Sequence, residues 1–226
     1  MVQYRDIQRF VRRPGRMTPA QKRALAELAP RYCIDYTPEQ LDLDATFGRT
    51  APLMVEIGFG NGDSLVALAA SMPDWNVIGI EVHEPGVGHC LLKADEAGAK
   101  NLRVIAEDAV AVLRDQVGER RIDRLNLYFP DPWPKKRHHK RRLVNPPFMD
   151  LAATGLTDNG ALHIATDWAP YAEHIDEVLD GDDRFKVVLR RTHVGDSPHV
   201  RPQTKFERRG LRLGHEIVDW EVRRAD

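Results

Sequence analysis

The stretch with the densest chemical content is 125–142. An apolar run from Leu125 to Phe129 reads as a buried strand, and it stops at Pro130, which cannot donate a ladder hydrogen bond. Asp131 follows, held between Pro130 and Pro132 and next to Trp133. Six cations then fall in eight positions (Lys135, Lys136, Arg137, Lys140, Arg141, Arg142), with His138 and His139 between them. In an open α/β sheet, ligands bind just outside the carboxyl ends of the strands, so an acid fixed there suits a site. A cationic run suits a polyanion such as nucleic acid. Separately, a Pro-flanked Asp is a common turn former and a basic octamer reads as a solvated loop or localisation signal. Their adjacency favours the functional reading.

Other chemistry-bearing residues recur at similar places. Glu56, Gly58, Gly60 and Gly62 lie between a strand and a helix, where glycine lets the backbone turn tightly and approach a ligand. The dinucleotide fingerprint needs a third glycine three residues after the second, and that position is Asp63, which disfavours a pyrophosphate. Glu81 ends the next strand and could accept ribose hydroxyls, or be a solvent acid. Asp108 opens a helix, as an N-cap, as a contact to a ring, or both. Asp167 ends the fifth strand. The segment Arg201-Pro202-x-Thr204-Lys205-Phe206-Glu207-x-x-Gly210 offers a hydroxyl and a carboxylate that could read a base edge. Asn145-Pro146-Pro147-Phe148 looks like the signature of methyl transfer to exocyclic amines, but it lies sixteen residues beyond Phe129 and reads instead as a helix start.

The positioning elements alternate. Strands are predicted at Leu53–Ile57, Asn76–Ile80, Leu102–Ala106, Arg121–Phe129 and Ala161–Ala165. Helices are predicted from 63 to Met72, over 84–98, from Asp108 to Val117, from Pro146 and over 169–180. This is an α/β pattern, a parallel sheet with helices on both faces. Phe185–Leu189 and Ile217–Val222 lack a helix of ordinary length between them and are expected to form a C-terminal antiparallel hairpin, completing a mostly parallel seven-stranded sheet. Ahead of the sheet, a helix is expected from Thr18-Pro19 to Ala29, stopping before Pro30, and a short one after Thr37-Pro38. Residues 1–17 read as a flexible basic arm and 18–226 as a single domain.

The net charge of −1 hides segregation: residues 1–25 hold seven Lys or Arg against Asp6 alone. Such clustering builds a local positive field despite near-neutrality. Two cysteines, Cys33 and Cys90, fit neither a metal site nor a secreted disulfide scaffold, so a cytoplasmic setting is expected, with no metal. No apolar run approaches ~20 residues, so no membrane span is expected. The sequence does not distinguish a monomer from a homodimer.

Five strands and a terminal hairpin, with acids at five carboxyl ends, is the pattern of class I S-adenosylmethionine-dependent, Rossmann-like methyltransferases. Glu56-Ile57-Gly58-Phe59-Gly60, Gly79-Ile80-Glu81, Asp108, Tyr128–Lys135, Thr166-Asp167-Trp168 and the Arg201–Gly210 segment together resemble the bacterial tRNA (guanine-N7-)-methyltransferases. The resemblance implies S-adenosylmethionine as cofactor, held by Glu56, Glu81, Asp108 and Asp131 beside the Gly58 and Gly60 turn. It implies Asp131 as the catalytic residue, and Lys135, Asp167, Thr204, Lys205, Phe206 and Glu207 as substrate-binding. It further implies RNA contacts from Arg137, His138, His139, Lys140, Arg141 and Arg142, and a variable-loop guanosine of tRNA as target. Guanine N7 already carries an in-plane lone pair, so no base is needed, and no Ser-His or Cys-His system is evident. A carboxylate near the ring would stabilise the developing cation, and either Asp131 or Asp167 could read the guanine edge. The competing readings are a methyltransferase for protein or small molecules, an RNA-binding module without activity, and a nucleotide-dependent oxidoreductase.

Overall fold

The computed structural model describes residues 16–194 and 201–225. The arm expected over 1–17 lies outside the described residues except for its last two positions. The elements run α1 (Pro19–Tyr32), α2 (Leu43–Phe47), β1 (Leu53–Ile57), α3 (Asp63–Ser71), β2 (Asn76–Ile80), α4 (Glu84–Glu96) and β3 (Leu102–Ile105). There follow α5 (Ala109–Ala111), which continues as a π-helical turn over Val112–Val117, then β4 (Ile122–Tyr128) and a 3₁₀ helix over Lys136–Arg141. The chain closes with α6 (Pro146–Gly155), β5 (Leu156–Thr166), α7 (Ala169–Asp180), β6 (Phe185–His193), α8 (Lys205–Arg212) and β7 (Ile217–Arg224).

All seven strands form one sheet in the order β3-β2-β1-β4-β5-β7-β6. Neighbours are parallel as far as β5, while β7 runs antiparallel to both β5 and β6, as the expected hairpin requires. The central strands β1 and β2 are short and buried throughout because both their faces are covered. Leu53, Val55 and Ile57 face a layer that includes Phe148, Tyr171 and Ile175, and Met54 faces Leu65, Leu91 and Tyr32 on the other side. The strand order reverses between β1 and β4, and an open α/β sheet has its crevice at that point. Ile57 pairs with Leu127, so the glycine turn after β1 and the Pro-Asp-Pro turn after β4 leave the sheet side by side.

Some boundaries differ from expectation. Helix α1 continues through Pro30 to Tyr32. A proline in the last turn forfeits only one hydrogen bond, while the fully buried Tyr32 and the bond from the Cys33 N–H to the Ala29 carbonyl (2.8 Å) hold that turn. The short helix sits at Leu43–Phe47 and not after Thr37-Pro38. Asp42 caps it by accepting from the Ala45 N–H at 3.0 Å, and Gly48 ends it in the left-handed region. Strand β5 starts at Leu156, five residues early, because Leu156 pairs with Ile122 across a register irregularity.

Candidate active site

The Pro-Asp-Pro turn is strained. Phe129 (φ 53°) and Trp133 (φ 46°) both sit in the left-handed region, which large side chains avoid and which costs about 1–3 kcal/mol each, so it persists only where the surroundings impose it. Here they do. The Phe129 N–H donates to the Ala165 carbonyl at 2.8 Å. The Arg142 Nε donates to the Pro132 carbonyl at 3.0 Å and its Nη1 to the Pro170 carbonyl at 3.2 Å, with the guanidinium over the Tyr171 ring. Arg141 lies 4.9 Å above the Trp133 ring, and His138 meets that ring edge-on. Arg201 covers Tyr128 at 4.7 Å and Phe129 at 5.2 Å. The result is an exposed Asp131 at the tip of a braced turn.

The glycine turn is pinned from below. Gly60 donates its N–H to Glu81 Oε2 at 2.8 Å, and the other Glu81 oxygen accepts from the Val82 and His83 N–H groups at 2.8 and 3.0 Å. A Cβ on Gly86 would come within 2.3 Å of the Gly60 carbonyl oxygen, so α4 approaches the turn as closely as backbone allows. Gly58 and Gly60 have φ of 69° and 60°, a conformation that glycine alone adopts without strain.

Between these turns opens a cavity of about 630 Å³ at the carboxyl ends of β1 to β4, within the size range of small-molecule sites. Its walls include Ile57, Gly58, Gly60, Ile80, Leu127, Phe129, Trp133 and Phe206, with Glu81, Glu107, Asp108 and Asp131 as the carboxylates. Glu107, which the sequence reading did not single out, accepts from the Asp108 N–H at 2.8 Å. Asp108 also caps its helix, accepting from the Val110 N–H at 3.2 Å, while it lines the cavity. The apolar walls, the glycine turn and the carboxylates suit an adenosyl group without phosphate.

Two of the five strand-end acids are not on that wall. Glu56 precedes the strand's last residue, so its side chain faces the interior toward Ser64, only 2 % exposed. Burial pushes its carboxyl up to about 8, against the pull of Arg201 and Arg124. Between pH 4.5, its ordinary value, and about 8, the folded protein keeps a proton that the unfolded chain releases. Its contribution is therefore complete below pH 4.5 and is lost as pH rises through about 8, at up to about 1.4 kcal/mol per pH unit. Glu56→Gln is expected to flatten the alkaline fall in stability relative to the parent in urea melts at pH 5 to 9. Parallel profiles would show that Glu56 is ionised in the fold.

Asp167 turns away behind α8. Its Oδ2 lies 3.1 Å from His215 Nδ1, and a Cβ on Gly210 would meet that oxygen at 2.7 Å. Thr204 and Glu207 form a capping box for α8: the Glu207 N–H donates to Thr204 Oγ1 at 3.1 Å and the Thr204 N–H to Glu207 Oε2 at 3.4 Å. Glu207 is 1 % exposed and receives the Arg201 guanidinium at 2.5 Å. These two side chains therefore build the helix that carries Phe206 to the cavity. Lys205 and Lys135 are exposed beyond its rim.

The basic octamer divides likewise. Lys135, Lys136, Arg137 and Lys140 are exposed, His138 and His139 are half-buried, Arg141 reaches the cavity wall, and Arg142 is buried at 3 %. Asp63, the acid expected to repel a pyrophosphate, is ion-paired with Lys93, which holds its carboxyl below the usual range despite partial burial. It does not line the cavity, so charge at that position carries less of the case against a dinucleotide than expected. Among the described residues no group of three or more His, Cys, Asp or Glu is placed to hold a metal, and no helix is long and apolar enough to cross a membrane.

A family model described as a putative methyltransferase matches residues 50–220. A tRNA (guanine-N(7)-)-methyltransferase from Halorhodospira halophila is 51% identical over 97% of this chain and 95% of its own length. One from Aeromonas hydrophila is 50% identical over 98% of this chain and 94% of its own. Among solved structures, the 16S rRNA (adenine(1408)-N(1))-methyltransferase from Catenulisporales acidiphilia superposes with a TM-score of 0.59 at 15% identity, covering 87% of this chain and 97% of that one. The 16S rRNA methyltransferase KamB gives 0.58 at 14%, over 81% and 94%. These structural likenesses concern the fold.

Proposed function

The chain belongs to the tRNA (guanine-N7-)-methyltransferase family and methylates guanine N7 in tRNA, and on that premise we propose how its residues divide the work. The cavity receives S-adenosylmethionine, whose sulfonium supplies the methyl group. The target is a variable-loop guanosine. The observation carrying this reading is that Glu81, Asp108 and Asp131 share one cavity wall at the reversal of strand order, with a basic 3₁₀ helix directly beyond it.

Glu81 fixes the glycine turn by accepting from three backbone N–H groups and keeps lone pairs for ribose hydroxyls. Asp108 borders the adenine end. Asp131 holds a fixed negative charge where the purine becomes cationic, so it favours the transition state over the neutral base. No proton leaves N7 as it attacks, and the protein's task is alignment of N7 with the methyl group. The exposed cations of the octamer hold tRNA phosphates without reading sequence.

Glu81→Ala is expected to weaken S-adenosylmethionine binding about 10- to 100-fold, as loss of charged hydrogen bonds of ~1.5–3 kcal/mol implies. Calorimetry would read this, and unchanged affinity would remove Glu81 from the binding role. The reading as a whole is tested by incubating the protein with labelled S-adenosylmethionine and unmodified tRNA, then digesting to nucleosides. Label in 7-methylguanosine is the expected result. Label in another nucleoside, or none, would overturn it.

A further inference from the structure

Arg201 is buried, lies off the cavity wall, and has no part in binding or chemistry as described so far. Yet its guanidinium joins three elements. Its Nε donates to Asp219 Oδ1 on β7 at 2.9 Å, and its Nη1 to Glu207 Oε2 in the first turn of α8 at 2.5 Å. Its face covers the Tyr128 ring at 4.7 Å and the Phe129 ring at 5.2 Å, at the end of β4. Both anchoring carboxylates are themselves fixed: Asp219 by His163 at 3.1 Å, and Glu207 by the capping box with Thr204. Phe129 is the strained residue two positions before Asp131, and Phe206, next to Glu207, lines the same cavity beside Gly60.

We propose that Arg201 is a positioning residue for methyl transfer: it clamps the Phe129–Asp131 turn to the first turn of α8, and so sets the gap between Asp131 and Phe206. The inference rests on the reading of the cavity given above. A guanidinium suits this work because its plane stacks on rings while its edge bonds two carboxylates in fixed directions. Lysine keeps the charge but supplies neither plane nor fork. Strain in the Phe129 backbone means the turn relaxes when the clamp is lost. Misplacement of a reacting group by ~1 Å costs on the order of 10²-fold in rate, whereas a tRNA held by the exposed octamer and a cofactor held by the glycine turn keep their contacts.

The test compares Arg201→Lys, Arg201→Met and Asp219→Asn with the parent, reading single-turnover methyl transfer at saturating tRNA and S-adenosylmethionine together with both Kd values. Leu179→Ala, a core change in α7, serves as a control for lost stability at equal rate conditions. Both Arg201 variants are expected to transfer about 30- to 100-fold more slowly with each Kd within about three-fold, and Asp219→Asn, which loosens one anchor, about ten-fold more slowly. Leu179→Ala is expected to keep the parental rate below its melting temperature. A rate within three-fold of the parent in Arg201→Lys would overturn the proposal, as would a rate loss matched by equal loss of cofactor affinity or by the control. Should the Arg201 variants not fold, Asp219→Asn decides: a parental rate there overturns the clamp. A parent that transfers no methyl group to tRNA would instead sink the functional reading.

Discussion

Asp131→Ala is expected to lower single-turnover methyl transfer by about 10²- to 10³-fold, the range seen when one preorganised electrostatic group is removed from a reaction centre, while the Kd for tRNA changes by less than about three-fold. The geometry supports this separation. Asp131 stands at the tip of a turn whose two flanking aromatics are held in the left-handed region, and it lines the cavity. On the proposed reading its charge acts on the positive charge that develops on the purine, so its loss is felt in the transition state. Asp131→Asn keeps the shape and removes the charge, and it is expected to fall nearly as far. The measurement is a rapid-quench time course with labelled S-adenosylmethionine at saturating tRNA. Near-parental rates in the alanine variant would remove Asp131 from the chemical step.

The second large effect lies in the octamer, and it takes the opposite form. Replacing Lys135, Lys136, Arg137 and Lys140 together by alanine removes four exposed cations. Each phosphate contact contributes about 0.7–0.9 to the slope of log K against log salt, so the slope is expected to fall by about 3. Affinity at physiological salt should drop by more than ten-fold, evenly across tRNAs. Turnover at saturating tRNA should survive. Arg142→Ala, six residues after Lys136, is expected to behave differently. Its guanidinium is buried against Tyr171 and braces the Pro132 carbonyl, so its loss should lower thermal stability and turnover with little change in salt slope. Filter-binding titrations from 50 to 300 mM salt read both. An unchanged slope in the quadruple variant would place the tRNA backbone elsewhere.

Much of the scaffold was legible because each short apolar run ends in glycine, proline or an acid, which is how a buried parallel strand meets its loop. The reading of five acids around one ligand was too generous. Glu81 follows its strand and is free to turn to the cavity, but Glu56 is still within the two-residue alternation of β1 and points inside. That difference was readable from register. Thr204-x-x-Glu207 was readable too, as a capping box before a short helix, and its buried partner Arg201 heads the same motif. Asp167 was not: its contacts with Gly210 and His215 come from residues more than forty positions away. Nor were the left-handed torsions of Phe129 and Trp133, which depend on rings and guanidinium groups brought together only by the fold. Arg142 was hidden by its company, since one buried cation among exposed ones looks like the rest until Tyr171 covers it.

The geometry of the reaction centre is tested most directly by a crystal structure with bound S-adenosylmethionine. The expected density lies over the Gly58–Gly60 turn with the ribose at Glu81, the adenine toward Asp108 and the sulfonium methyl group facing the space beside Asp131. Cofactor bound outside this cavity, or bound within it with its methyl group directed away from Asp131, would contradict the proposed reaction centre.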